Sequence, residues 1–144
     1  YKEPISGPTA ELTLIAKYLR DIPFGHSSVE VRIMNDKQRC ENFSAQPTVK
    51  LNLNNNFKTL TIPAGKKVYL GIFYEANYYL LASYHSRSNK AFMPVESEKY
   101  YIEYIVDPNG TYFKPGKSRL AHFKYGKNNK DRVGFELVDW DKCQ

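Results

Sequence analysis

The stretch Thr61–Ala76, TIPAGKKVYLGIFYEA, decides how the chain folds. Its AGKK segment has the look of a phosphate-binding loop, whereas the residues after it alternate like a buried strand. A Walker loop requires G-x-x-x-x-G-K-[ST], because successive backbone amides must wrap the phosphates before the lysine reaches them. Gly65 stands alone: Leu60 holds the position five residues earlier, and Lys67 holds the Ser/Thr position. A phosphate site of this kind also needs a helix beginning at the glycine, so that its first amides point at the anion. Instead Val68, Leu70, Ile72 and Tyr74 form one face, and Tyr69, Phe73 and Glu75 the other. That period of two belongs to a strand. PAG is a turn feeding a strand, and the nucleotide reading falls.

The same pattern extends outward. Ala10, Leu12, Leu14 and Ala16 alternate with Glu11, Thr13 and Lys17; ELTLIAKYLRD (Glu11–Asp21) is the only helical rival. Val29, Val31 and Ile33 alternate with Glu30 and Arg32, and Val49, Leu51 and Leu53 with Lys50 and Asn52. NYYLLASY (Asn77–Tyr84) predicts a short aromatic strand pairing with the one before it. Tyr100, Ile102, Tyr104 and Val106 form a face of the next, SRLAHFKY follows, and Val133, Phe135 and Leu137 alternate with Gly134, Glu136 and Val138. NDKQRCENFSAQP is expected as a loop, and DPNG (Asp107–Gly110) as a turn. The expectation is an all-β, two-layer antiparallel β-sandwich of about seven or eight strands, immunoglobulin-like or transthyretin-like. Residues 1–8, YKEPISGP, read as an extended lead-in, and 9–144 as one sandwich domain.

Composition agrees. The chain has 144 residues, enough for one domain with a hydrophobic core, and its 15% aromatic share favours strands. No run of about eighteen apolar residues is present, so no membrane-spanning helix is expected. The chain begins at Tyr1 without a methionine, which suggests a mature or trimmed form.

Catalytic and metal signatures are missing from the sequence. His26, His85 and His122 lie in separate segments with no H-x-H or H-E-x-x-H spacing. HSS (His26–Ser28) lacks a G-x-S-x-G elbow, and neighbours in an extended chain point to opposite faces. Asp139 and Asp141 flank Trp140 as the polar end of a strand, and DPNG lacks the remaining ligand positions of a calcium loop. NFS and NGT match the glycosylation pattern at about chance frequency. No enzyme activity, metal or cofactor is expected. Cys40 and Cys143 form no C-x-x-C pair and sit among polar residues. They read either as a disulfide, with an oxidising compartment implied, or as two unrelated thiols.

Charge is uneven. Lys114, Lys117, Arg119, Lys124, Lys127, Lys130 and Arg132 face only Asp131 within residues 111–132, a surplus equal to the whole chain's +6. With His122 and interleaved aromatics, this segment is the candidate binding site for a polyanion: an acidic glycan, a lipid headgroup or nucleic acid. A solvated hairpin explains the same residues, because lysines blunt strand edges and an alternating strand divides Arg119, Ala121 and Phe123 from Leu120, His122 and Lys124. Specific nucleic-acid recognition is not expected, since no helix-turn-helix, RNP or zinc motif occurs.

Three motifs together resemble a family. They are Y-x-x-P-x-x-G-P-x-A-x-L (Tyr1, Pro4, Gly7, Pro8, Ala10, Leu12), IPAGKKVYL, and AFMPVESEKYYIEY with its F-x-P before a Tyr-rich strand. This is similar to small lipoproteins of Gram-negative bacteria whose function is unassigned. The resemblance implies export to the periplasm or outer membrane and tethering through a lipidated cysteine upstream of the lead-in. It also implies a non-enzymatic binding or structural role in the cell envelope, with an envelope protein or an anionic surface as partner. The family's cysteine before F-x-P is missing from SYHSRSNKAF, which leaves Cys40 with Cys143 as the intramolecular pairing. A secreted module that binds acidic glycan or nucleic acid through 111–132 is the alternative.

Overall fold

The computed structural model describes residues 1–20, 25–41, 46–78, 82–107, 118–126 and 130–141. Among them are ten strands and one short helix: β1 (Thr9–Lys17), β2 (Gly25–Met34), α1 (Asp36–Cys40), β3 (Thr48–Leu51), β4 (Phe57–Pro63), β5 (Val68–Tyr78), β6 (Ala82–Phe92), β7 (Lys99–Val106), β8 (Ser118–Tyr125), β9 (Arg132–Val133) and β10 (Val138–Asp139). They form two five-stranded sheets, ordered β4-β1-β7-β8-β9 and β10-β6-β5-β2-β3. The two-layer sandwich expected from the alternation is the fold, with ten strands among the described residues where seven or eight were expected.

The alternation fixes which faces meet. Leu12, Leu14 and Ala16 of β1 are buried against the other sheet's Val29, Val31, Leu70 and Ile72 in one core. Aromatic rings stitch the layers together: Tyr74 of β5 stacks on Tyr104 of β7 at 5.5 Å, and Phe92 of β6 meets Tyr100 of β7 at 5.1 Å. A smaller cluster joins Met34, Tyr69, Ala91 and Trp140. The Trp140 indole N–H donates to the Leu70 and Lys90 carbonyls at 3.1 and 3.0 Å, which docks the C-terminal strand.

The turn in the AGKK segment is as the sequence reads. β4 ends at Pro63 in one sheet and β5 starts at Val68 in the other. Gly65 carries the connection with φ +74°, a left-handed conformation that glycine adopts freely. Its N–H donates to the Pro94 carbonyl at 2.8 Å, and the Ala64 N–H to Pro8 at 3.0 Å. Two bonds therefore tie the lead-in, this turn and the segment after β6 together.

Four details differ from expectation. β1 and β7 run parallel, although every other pair is antiparallel; the long chain between them supplies the crossover that a parallel pair needs. Asn77–Tyr84 is not a strand of its own: its ends belong to β5 and β6, which pair at Tyr78↔Ala82, while residues 79–81 lie outside the described residues. Val133–Val138 is also divided, with β9 in one sheet and β10 in the other. The loop expected after β2 opens with α1, whose Asn35 N-cap and Gln38 form a capping box. Cys40 ends that helix; Cys143, its expected partner, lies outside the described residues.

Candidate functional site

The basic segment is only partly described: Lys114, Lys117 and Lys127 lie outside the described residues. The others are divided. β8 pairs with β7 in the register Tyr100↔Lys124, Ile102↔His122 and Tyr104↔Leu120, so Lys124 and His122 lie on the side of β7's buried residues, with His122 itself exposed. Arg119 and Phe123 point the other way, and the Arg132 guanidinium sits over the Phe123 ring at 4.1 Å. Lys130 is exposed in the turn before β9. Among the described residues these cations do not gather on one face.

The structure instead makes a hollow beside Lys124. β9 covers only Lys124 and Tyr125 of β8, and β10 only Lys90 and Ala91 of β6. The chain passes from β9 to β10 in four residues, 134–137. Four extended residues reach at most about 14 Å, little more than the about 10 Å between packed sheets. The crossing therefore runs along one side of the sandwich, past the edges of β6 and β8. Phe135 turns inward from it, its ring 5.2 Å from Phe92, 5.0 Å from Tyr100 and 5.1 Å from His122.

Phe92, Tyr100 and Phe135 thus line one wall of a hollow of about 430 Å³. Met93 and Val95 form its lip and are 61% and 53% exposed, while Pro94 between them is buried. Lys67, Lys124 and Glu136 supply the charges. More than half of each lip side chain stands in water, a state that apolar groups leave when a partner covers them.

A small polar network holds the lip. The Val95 N–H donates to the Tyr100 hydroxyl at 2.8 Å, and that hydroxyl donates to Glu98 at 3.0 Å. Lys124 donates to the same Glu98 oxygen at 2.7 Å. Burial, and then the negative charge of Glu98, push the Tyr100 phenol above its ordinary pKa. The Glu98 hydrogen bond pushes the Lys124 ammonium up in turn. Both groups keep their protons at neutral pH. Lys67, exposed at the end of the AGKK turn, is the other cation of this rim, its ammonium 5.9 Å from the Tyr69 ring centroid.

Of the sequence candidates, Lys124 lines the hollow and His122 packs on its Phe135 wall. Phe92, Met93, Val95, Phe135 and Lys67 were not among them. The visible signal was M-P-V, in which two apolar side chains flank a proline in a non-strand segment. The other histidines are apart: the His26 ring nitrogen lies 3.3 Å from the Asn77 amide, and His85 stacks on Phe73 at 5.6 Å. Asp139 pairs with Lys90. Among the described residues no group of three His, Cys, Asp or Glu is placed to hold a metal ion, and no helix is long and apolar enough to cross a membrane. No protein-family model, no curated protein and no solved structure matches the chain.

Proposed function

We propose that the chain is a non-enzymatic binding module of the bacterial cell envelope, and that it grips the apolar part of an amphipathic ligand in the hollow beside β6 and β7. The observation that carries this reading is the hollow itself, about 430 Å³ with aromatic walls and an exposed apolar lip. That size and lining suit a small-molecule or side-chain site. Tyr100 and Lys124 are both engaged with Glu98, so the wall offers shape and charge rather than proton transfer. Lys67 would meet the ligand's polar or anionic end. The lead-in, IPAGKKVYL and F-x-P motifs support an exported protein held at the membrane by an N-terminal lipid anchor and closed by a Cys40–Cys143 disulfide.

Dodecanoate is a suitable probe, because burying about six methylenes at ~0.8 kcal/mol each corresponds to a Kd of about 0.3 mM. Titration followed by NMR should shift Phe92, Met93, Val95 and Phe135 saturably, and Met93→Glu should remove the effect. Shifts spread over the surface without saturation would refute the site.

A further inference from the structure

A second hollow, of about 230 Å³, lies where the lead-in, the β4–β5 turn, the start of α1 and residues 46–47 before β3 converge. Its floor is apolar, with Ile33, Met34 and Val68 backed by Pro47 and Pro63. Lys2, Lys66 and Lys67 stand on the rim, all exposed. Among the described residues that line it there is no carboxylate.

The remaining polar groups also favour donors. In the capping box the Gln38 N–H donates to Asn35 Oδ1 at 2.8 Å, and the Asn35 N–H donates to Gln38 Oε1 at 2.9 Å. Both amide oxygens are committed as acceptors, so the NH₂ ends are what these side chains can turn towards a ligand. The Tyr1 hydroxyl donates to the Thr61 carbonyl at 2.9 Å and stays neutral, its pKa pushed up to about 12 by burial and by Glu3. Asp36, in the first turn of α1, is engaged by Arg39 at 2.8 Å and by Tyr69 at 3.1 Å, and it also feels the charge of Lys67. Three ammonium groups and several amide donors thus surround a floor that repels water-loving groups.

A neutral apolar ligand would leave the lysines unused, and a polyanion would leave the floor uncovered. We propose that this hollow binds a small organic anion: an apolar body resting on Ile33 and Val68, and one carboxylate or phosphate group held by Lys2, Lys66 and Lys67. The site is separate from the hollow lined by Phe135, although Lys67 borders both.

The test uses benzoate, phenyl phosphate and neutral benzyl alcohol, followed by NMR of the whole chain. Both anions should give saturable shifts at Ile33, Met34 and Val68, with benzyl alcohol at least about ten-fold weaker. Lys2→Gln and Lys66→Gln should each weaken benzoate about two- to five-fold, and raised salt should weaken it further. A preference between the anions would identify the head group as carboxylate or phosphate, and parity keeps the shared class. Met93→Glu, which removes dodecanoate from the other hollow, should leave benzoate binding intact. The proposal is overturned by equal binding of benzyl alcohol, by lysine variants of unchanged affinity, by loss of benzoate in Met93→Glu, or by no saturable shift up to about 20 mM.

Discussion

Replacing Phe135 by alanine tests whether the 134–137 crossing is held by its ring. That ring packs within 5.2 Å of Phe92, 5.0 Å of Tyr100 and 5.1 Å of His122. Removal of a fully buried phenylalanine costs about 3–5 kcal/mol, and each aromatic pair contributes about 0.5–1.5 kcal/mol within such totals. Phe135 is only part-buried and belongs to a crossing between two strands of two residues each, so the side can relax. About half the full value, roughly 1.5–2.5 kcal/mol, is expected. For a chain of 144 residues that corresponds to a fall in Tm of about 4–10 °C. Urea unfolding read by fluorescence gives the free energy, and calorimetry gives Tm. Phe135→Leu should retain about half of the loss. A change below about 0.5 kcal/mol would mean that the ring carries no packing, and the wall of the hollow would have to be redrawn.

Tyr100→Phe removes the hydroxyl that joins Val95 to Glu98 and should cost about 1–2 kcal/mol by urea unfolding; a neutral change would show that the lip does not depend on it. Burial raises the pKa of Tyr1 (to about 12), Tyr100 and Tyr104, and Glu98 raises Lys124. A raised folded-state pKa gives stability that is complete below the unfolded value and lost as pH climbs through the folded one. Stability should therefore decline from about pH 10 upward, with Tyr1→Phe softening the fall; a flat profile to pH 12 contradicts the assignment. Ser97 sits at φ +66°, so Ser97→Gly should be neutral or stabilising by up to about 1 kcal/mol, and a loss would show a side-chain role instead. Protein from its own cells should show no thiol until reduced, together with the added mass of a lipidated cysteine; two free thiols would end both envelope proposals.

How much was legible follows from which faces are covered. β1, β7 and β5 from Val68 to Ala76 bury one face completely, so their alternation reads directly as strands. β6 does not read that way. Its Ser83, His85 and Arg87 are exposed, and the opposite face carries Ser86, Ser88 and Lys90, so neither face is an apolar row. Val133–Val138 alternates over six positions, yet Gly134–Leu137 crosses between sheets, because only tertiary packing shows that Phe135 fills the gap at the edge. The alternation of SRLAHFKY already separated Arg119 from Lys124, and the register with β7 agrees. The hollow itself was not legible. Phe92, Phe135 and Lys67 come from three distant segments, and nothing local in the sequence marks them as neighbours.

The central claim is that an apolar group enters beside Phe92, Tyr100 and Phe135. Intermolecular nuclear Overhauser effects from bound dodecanoate test it most directly. The account predicts cross-peaks from the alkyl chain to the Phe92 and Phe135 rings and to the Met93 methyl, with the carboxylate end nearest Lys67. Cross-peaks confined to Phe123 and Tyr125 on the opposite face of β8 would contradict it.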